Sequence, residues 1–260
     1  MRRVPALLFV SLLPLAASAQ QPAQPEGWTG TGELGLAMAR GNSRSESLNT
    51  RLRFSREEER WKNGFALSAL RSRAEAERDV DGDGVGERHY ETSANRYDVS
   101  GSSAYRFSPR HHVSANGRYE RDDFSSYDYQ GTLAIGFGSR FIDSERTKLT
   151  GEIGPGYRRA RTALDGEVQS SLIGRGLLDL RHQLTANTEL FNTLLVESGK
   201  DNTFAQNDFG VSVAMNERFA LKAGLQARHN TEVEDPETRR PDTLTTVNLA
   251  YTFRCNPTAA

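Results

Sequence analysis

The chain lacks most of the features that cross-link or anchor a protein. Its single cysteine, Cys255, excludes an internal disulfide, and no lipobox-like site precedes this cysteine to make it a lipid anchor. Beyond residue 19, no segment approaches the run of about 18 apolar residues that a membrane helix needs, and only 36% of the chain is hydrophobic. The 33 basic and 34 acidic side chains nearly balance, so the charge pattern argues against nucleic acid as a partner.

The N-terminal segment has the pattern of a secretory signal peptide. Arg2 and Arg3 precede an apolar run over residues 4–15, and the small residues at 17–19 form a cleavage site before Gln20. The sequence therefore predicts export from the cytoplasm.

Beyond the signal peptide, apolar and polar residues alternate with a period of two through almost the whole chain. The clearest case is the last stretch, over residues 243–253, whose apolar face would carry Val247, Leu249, Tyr251 and Phe253. Similar stretches recur about twelve times, although the one over residues 188–197 is ambiguous in phase. An exported chain that ends in such a strand is typical of bacterial outer-membrane proteins. We therefore predict an all-β fold, a transmembrane antiparallel up-and-down β-barrel of about 12 strands.

The connections between these stretches alternate in length. Such barrels join strands by short periplasmic turns and longer external loops. If the first strand starts inside, the even-numbered connections are mostly short, and the odd-numbered ones, such as residues 74–92 and 230–241, are mostly longer and more charged. The expected organisation is a signal peptide over 1–19, a periplasmic segment over 20–27, the barrel over 28–253 and a tail over 254–260.

Aromatic residues collect where the strands would cross the two membrane interfaces, the positions that aromatic side chains favour. The expected inner belt comprises Trp28, Phe54, Trp61, Tyr105, Phe107, Phe137, Phe219 and Phe253. The expected outer belt comprises Tyr119, Tyr127, Tyr129 and Tyr157. In a soluble β-sandwich, which is the alternative fold, the same residues would form the core.

Four stretches carry a family resemblance, and they lie at residues 27–43, 117–124 (GRYERDDF), 151–158 (GEIGPGYR) and 249–253 (LAYTF). In them the chain resembles the DUF481 family, the salt-induced outer-membrane proteins of the YdiY type. The resemblance implies a location in the cell outer membrane and, because the family's activity is poorly defined, no catalytic residues. The expected partners are outer-membrane lipid and lipopolysaccharide, the barrel-assembly machinery, and small ions or solutes. The acidic insertion near Asp79 and the tail after Phe253 depart from the family pattern.

The polar face of the strands would line the lumen, and basic residues outnumber acidic ones there. Six arginines are the candidate pore-lining residues: Arg51, Arg53, Arg106, Arg118, Arg158 and Arg175. Because guanidinium groups bind anionic groups bidentately, the sequence predicts a narrow water-filled pore with a mild anion preference. Alternatively, the arginines pair with inward acids such as Glu120 and Glu152 and close the bore.

Two other functions are open at this stage. A closed barrel that acts in structure or stress response through its external loops needs the same lipid-facing residues. An outer-membrane hydrolase is the other alternative, because His112, Ser114 and Asn116 share one strand face. A serine nucleophile needs the imidazole to take its proton while a third group orients the ring. Since Asn116 lies on the same strand and all three residues face the lumen, we expect no enzyme.

The acidic insertion has the spacing D-x-D-x-D-G-x-x-E. It places the carboxylates of Asp79, Asp81, Asp83 and Glu87 at loop positions 1, 3, 5 and 9 of a calcium loop. Tyr90 stands where an EF-hand has its bidentate glutamate, and no helical pattern flanks the loop. The spacing therefore predicts at most weak calcium binding, which would steady the loop or bridge it to lipopolysaccharide. A solvated acidic turn is the alternative, and no other cofactor is expected.

Calorimetric titration with Ca²⁺ tests this loop. We expect a weak binding isotherm in the millimolar to submillimolar class of extracellular sites, roughly 10⁻⁴ to 10⁻³ M. The isotherm should vanish in Asp81→Ala, because that substitution removes one of the oxygen ligands. Identical flat traces for both proteins would show that the loop is a solvated turn.

Overall fold

The chain folds into a closed barrel of β-strands. The computed structural model describes residues 27–39, 45–78, 87–200, 202–231 and 241–255. These residues form twelve strands: β1 (Trp28–Ala39), β2 (Ser45–Glu57), β3 (Trp61–Arg78), β4 (Glu87–Arg106), β5 (His111–Asp122), β6 (Tyr127–Asp143), β7 (Thr147–Thr162), β8 (Val168–Thr185), β9 (Thr188–Gly199), β10 (Thr203–Ala214), β11 (Phe219–Asn230) and β12 (Pro241–Cys255). None of these residues belongs to a helix long and apolar enough to cross a bilayer.

Every strand pairs antiparallel with its neighbours in the chain, and β1 also pairs with β12 to close the ring. The closing register joins Trp28 to Cys255 and Leu34 to Leu249, so β12 continues through Arg254 and Cys255, beyond the expected boundary at Phe253. Closure leaves no unpaired strand edge, which is the condition for a sheet to stand in lipid. The predicted up-and-down barrel of twelve strands is confirmed.

The distribution of polar and apolar side chains is inverted relative to a soluble protein. Leu133, Ile153 and Leu172 are 68%, 72% and 79% exposed on the outer wall, whereas Glu33 and Glu120 are only 5% and 3% exposed inside. A soluble sandwich buries its large apolar side chains and seldom buries charges. The β-sandwich alternative is therefore wrong, and the outer wall has the apolar surface of a membrane-spanning barrel.

The two ends of the barrel differ in their connections. We call the end that carries the start of β1 the periplasmic end; its turns, at residues 58–60, 107–110, 144–146, 186–187 and 215–218, are all short. In one of them, the Ser144 amide donates a hydrogen bond of 2.9 Å to the Thr147 carbonyl. The opposite, external end carries the remaining connections, and residues 79–86 and 232–240 there lie outside the described part of the chain.

An aspartate organises the external turn at residues 163–167. The hydroxyl of Thr162 donates a hydrogen bond to the Asp165 carboxylate, and the Glu167 amide donates another of 3.0 Å. These two hydrogen bonds stabilise the ionised form and lower the pKa of Asp165. These hydrogen bonds hold the turn locally, and the Ala163 amide donates a further hydrogen bond of 2.9 Å to the Ser126 carbonyl of the neighbouring connection.

The rings of the inner aromatic belt pair around the periplasmic end. Trp61 contacts Tyr105 with centroids 5.1 Å apart, and Phe54 meets Phe253 at 6.0 Å. In the outer belt, Tyr119 stacks on Tyr129 at 6.0 Å. Tyr127 does not join that belt: it is 2% exposed and points inward. The reason is an irregularity of the β6–β7 register between Tyr127 and Tyr129, which shifts the side-chain alternation by one residue.

The pairing of β6 with β7 is interrupted near the middle of the barrel wall. The register passes from Ala134 opposite Gly156 directly to Phe137 opposite Ile153, with Pro155 in the gap. Proline has no amide hydrogen to contribute to a ladder. The strands approach closely here, because a Cβ atom on Gly154 would lie only 1.9 Å from the carbonyl oxygen of Ile135.

This contact predicts that Gly154→Ala destabilises the barrel. The added methyl group must displace backbone, so we expect a loss of about 1–3 kcal/mol in the free energy of unfolding. Gly176→Ala is the matched control, since no atom lies within 4 Å of its Cβ position. Urea unfolding of the refolded protein in lipid vesicles measures both variants. Equal unfolding midpoints for the two would contradict the close approach.

Candidate functional site

The periplasmic half of the lumen holds a cavity of about 820 Å³, which we call the basic chamber. Of the described residues that line it, eight are basic: Arg51, Arg53, Lys62, Arg118, Lys148, Arg175, Arg181 and Lys222. Four are acidic: Glu57, Asp98, Glu197 and Asp208. Strand alternation explains the composition, because every second residue of each strand must face this space. The lining alone therefore has an excess of basic residues, and several of them pair with acids outside it: Arg181, for example, lies 3.5 Å from Asp179 and from Glu189.

The chamber is open to solvent at the periplasmic end. The side chains of Lys62 and Arg181, near that end, are 61% and 56% exposed. Arg51 and Lys148 form no ion pair within the described ranges. The open space therefore adjoins two basic side chains that have no ion-pair partner among the described residues.

A buried carboxylate organises one side of the chamber. Glu33 of β1 accepts hydrogen bonds from Arg53 at 2.9 Å and from Lys222 at 2.6 Å. Its own side chain is only 4% exposed. Burying a carboxylate is favourable only with charged partners and hydrogen bonds, and here two cations share one anion. The cluster as a whole keeps one positive charge.

Towards the external end, side chains cross the lumen and form what we call the ion-pair barrier. It comprises Arg96, Arg118, Glu120, Asp122, Gln226 and Arg228. Arg228 of β11 pairs with Glu120 and, at 3.4 Å, with Asp122 on β5. β5 and β11 stand six strands apart in a ring of twelve, on opposite walls. The contacts of Arg228 therefore span the bore.

A second contact crosses at the same level, and an aromatic ring fills the space beside it. Arg96 of β4 donates a hydrogen bond of 2.9 Å to the side chain of Gln226 on β11. Phe204 is 1% exposed, and the guanidinium carbons of Arg118 and Arg228 lie 4.8 and 5.2 Å from its ring centroid. Such cation–π contacts gain strength when desolvated. The external half of the lumen is thus packed.

Further ion pairs connect the barrier to the chamber. Glu197 lies 4.0 Å from Arg118 and 3.9 Å from Arg175, and Arg175 lies 3.4 Å from Glu152. Acids and bases therefore alternate from the barrier down to the chamber wall. In this part of the lumen the charges neutralise one another, as the closed-bore alternative predicted. Around Arg51, Arg53 and Lys222, Glu33 is the one acid within ion-pair distance among the described residues.

The structure separates the six candidate arginines. Arg51, Arg53, Arg118 and Arg175 lie together on the chamber wall. Arg106 sits at the periplasmic rim, where it pairs with Glu57 at 3.0 Å. Arg158 lies in the packed external half at 3% exposure, and its Nη1 atom has no hydrogen-bond partner among the described residues.

The residues of the hydrolase alternative come together, but not as a nucleophile and its base. The Ser114 hydroxyl donates to Glu152 at 3.0 Å, and the same carboxylate lies 2.9 Å from the Nε2 atom of His112. Asn116 donates to the Ser114 oxygen at 3.0 Å. A triad needs the imidazole between the serine and the acid, whereas here the acid lies between the other two. These residues form a cluster of side-chain hydrogen bonds on the inner face of the barrel wall.

The described part of the chain includes only one of the four predicted calcium ligands, Glu87. Asp79, Asp81 and Asp83 lie outside the described residues. Glu87 is exposed at the start of β4, and its carboxylate lies 3.4 Å from the ring of His89. Within the described ranges, no group of three or more His, Cys, Asp or Glu residues is placed to hold a metal ion. Calcium binding by this loop stays a prediction.

Two features of the lumen were missed in the sequence. Phe204 was not identified as a lumen residue, although counting back by twos from Asp208 places it on the inward face of β10. The phase of β9 was ambiguous because inward Phe191 and outward Asn192 both break the pattern. The structure resolves this, since Asn192 accepts a hydrogen bond of 2.7 Å from Asn207 of β10 on the outer wall.

Comparison with known proteins places the chain in a family. The model of the family "Protein of unknown function, DUF481" matches residues 32–253. The chain belongs to the DUF481 family. It is 24% identical over 163 residues to the uncharacterized protein YdiY of Escherichia coli K12, a match that covers 63% of this chain and 64% of YdiY. The matched region thus spans less than two thirds of that relative, and the resemblance to this family is confirmed.

Several solved barrels resemble the structure at low sequence identity. The translocator domain of the autotransporter NalP from Neisseria meningitidis is 12% identical, with a TM-score of 0.48 and 90% of each chain covered. The NanC porin is 11% identical, with a TM-score of 0.46, 86% of this chain and 97% of the porin covered. The KdgM porin in complex with disordered oligogalacturonate is also 11% identical, with a TM-score of 0.42, 88% and 99% covered. The family model alone therefore decides the assignment.

The barrier predicts a large effect of Arg228→Ala on stability. This substitution leaves Glu120 and Asp122 buried with fewer partners, and we expect a loss of about 3–5 kcal/mol in the free energy of unfolding. Arg140→Ala is the control, because its pair with Asp143, at 2.8 Å, is largely solvent-exposed and should contribute at most about 1 kcal/mol. Urea unfolding in lipid vesicles measures both. Similar losses of unfolding free energy in the two variants would show that the buried ion pairs of Arg228 contribute no more than an exposed pair.

Proposed function

We propose that this protein is an outer-membrane channel for small anions that the ion-pair barrier keeps closed at rest. One observation carries the proposal: the basic chamber, whose described lining has eight basic and four acidic residues, opens at the periplasmic end. The location in the outer membrane is supported by the apolar outer wall, the two aromatic belts and the export signal in the sequence.

The chamber supplies the chemistry for anion selection. Arg51 has no ion pair among the described residues, and Arg53 shares Glu33 with Lys222. Guanidinium groups present several donors in a plane that matches carboxylate and phosphate oxygens. A small anion would exchange part of its hydration shell for these donors without displacing an existing strong pair. The preference is expected to be mild, because Asp98 and Asp208 also line the wall.

Conduction through the whole bore requires the barrier to open. Arg228 must leave Glu120 and Asp122, and Arg96 must leave Gln226. Separating buried charges is costly unless water replaces the lost partners, so openings should be infrequent in the unmodified protein. An anion drawn up to Arg118 competes for the same guanidinium groups that hold the barrier closed.

A second function is favoured by the barrier itself. Contacts between β5 and β11, on opposite walls, stiffen the barrel as well as close it. A permanently closed barrel would act through its external connections as a structural or stress-response element. This candidate requires no passage of solute.

Single-channel recording of the refolded full-length chain in planar bilayers, with a KCl gradient, tests the channel. We expect rare discrete openings and a reversal potential that favours chloride. Glu120→Gln/Arg228→Gln should open more often, because residue 228 then forms no ion pair across the bore. Arg51→Gln/Arg53→Gln should shift the reversal potential towards zero selectivity.

The control for selectivity is Arg218→Gln, which removes one charge from an exposed periplasmic turn outside the chamber. It should leave the reversal potential unchanged. An unchanged reversal potential in Arg51→Gln/Arg53→Gln would overturn the assignment of anion preference to the chamber. A further outcome is that the unmodified protein and the barrier variant both show no conductance, although their unfolding midpoints show that both are folded. That result would favour the permanently closed barrel.

A further inference from the structure

The outer wall of the barrel contains an apolar groove. Small residues form its floor on β4 and β5: Gly101, Ser103, Ala115 and Gly117. Large exposed side chains form its far side on β6 to β8: Leu133, Ile135, Tyr157 and Leu172. The groove encloses about 700 Å³, within the usual size of small-molecule sites.

The strand register explains this shape. Gly101 pairs with Gly117, which pairs with Leu133, so two residues without side chains lie beside a large one. The next row towards the periplasmic end runs from Ser103 through Ala115 to Ile135. The groove therefore lies across the strands near the middle of the wall, where a bilayer presents acyl chains.

Exposed arginines lie on the same wall, closer to the external end. Arg121 of β5 and Arg161 of β7 flank Tyr129 of β6 in one row, and Arg159 lies two residues below Arg161. With strands about 4.8 Å apart and residues about 3.3 Å apart, these three Cα atoms fall within roughly 12 Å of one another. Four residues, or about 13 Å, separate Gly117 from Arg121 along β5.

This arginine cluster has charge available for a ligand. Arg121 lies 3.4 Å from Asp123 and Arg161 lies 3.8 Å from Asp128, and all four side chains are about half exposed. Such exposed pairs contribute little and exchange readily. Arg159 is exposed and has no ion pair within the described segments. Three cations against two acids leave a net positive charge at the level of the outer tyrosine belt.

We propose that this wall binds one molecule of lipopolysaccharide, with an acyl chain in the groove and a lipid A phosphate on Arg121, Arg159 and Arg161. Charge complementarity selects this occupant, because the site combines an apolar groove in the membrane with planar cationic donors at the external interface. Tyr119 and Tyr129, stacked on each other at the level of the arginines, would contact the sugar headgroup. The inference rests on the proposed outer-membrane location and is independent of conduction.

Titration of the refolded full-length chain in detergent with fluorescent lipid A tests the site. A parallel titration uses the same lipid with both phosphates removed. We expect the phosphorylated lipid to bind at least about tenfold more tightly, since charge-assisted hydrogen bonds to phosphate are among the strongest available. Arg159→Gln/Arg161→Gln should abolish that difference and leave binding of the dephosphorylated lipid unchanged.

A second variant probes the groove. Gly101→Leu should fill it and weaken binding of both lipids, and it should fold, because the nearest atom to its Cβ position is 4.0 Å away. Gly176→Leu is the matched control on the outer face of β8, outside the groove, where no atom lies within 4 Å. Arg146→Gln, in a periplasmic turn, is the control for loss of one charge. Neither control should change either affinity.

Three results would overturn the proposal: equal affinity for the two lipids, equal losses in the control variants, or complete displacement of lipid A by inorganic phosphate. The last would mean that the arginines bind free phosphate and that the groove plays no part. The protein could bind lipid A tightly and in a phosphate-dependent way and still show no conductance in bilayers. That combination would support this lipid site and contradict the channel proposal.

Discussion

Closing twelve strands into one ring confines every inward side chain to a single narrow lumen. The outer wall must be apolar where it faces acyl chains, so charged strand residues at that depth have only the interior to occupy. A buried carboxylate such as Glu33 or Glu120 is tolerated only beside cations that also donate hydrogen bonds to it. The arrangement of the lumen follows from that requirement.

The requirement is met in two different ways along the barrel. Near the external end, Arg228 reaches across to Glu120 and Asp122, and acids and bases alternate down to Glu152. In the periplasmic half, basic residues outnumber acidic ones in the lining of the chamber, and the space that they surround stays open. A packed barrier above a basic chamber is the geometry expected of a closed channel with an anion-attracting entrance. The same barrier would suit a barrel whose role is purely structural.

The outer wall also departs locally from a uniform apolar surface. Pro155 interrupts the pairing of β6 with β7. The neighbouring strands β4 and β5 have no side chain at Gly101 and Gly117, which pair with each other. These irregularities create a groove in the region facing acyl chains, while outward arginines follow towards the external interface. On the outer face of β9 and β10, the Asn207 amide donates a hydrogen bond to the side-chain oxygen of Asn192 within an apolar surface.

The sequence by itself determined the strands, their number and the face of almost every residue, because a period of two is a local property that survives without knowledge of the partner strand. It also placed Arg51, Arg53, Arg118 and Arg175 in the lumen. It failed where the period is broken, since the irregularity beside Tyr127 turns that ring inward. It also did not identify Phe204 as a residue of the lumen. Only the tertiary structure decided which charges meet, because Arg228 and Glu120 are 108 residues apart and face each other only once the ring has closed.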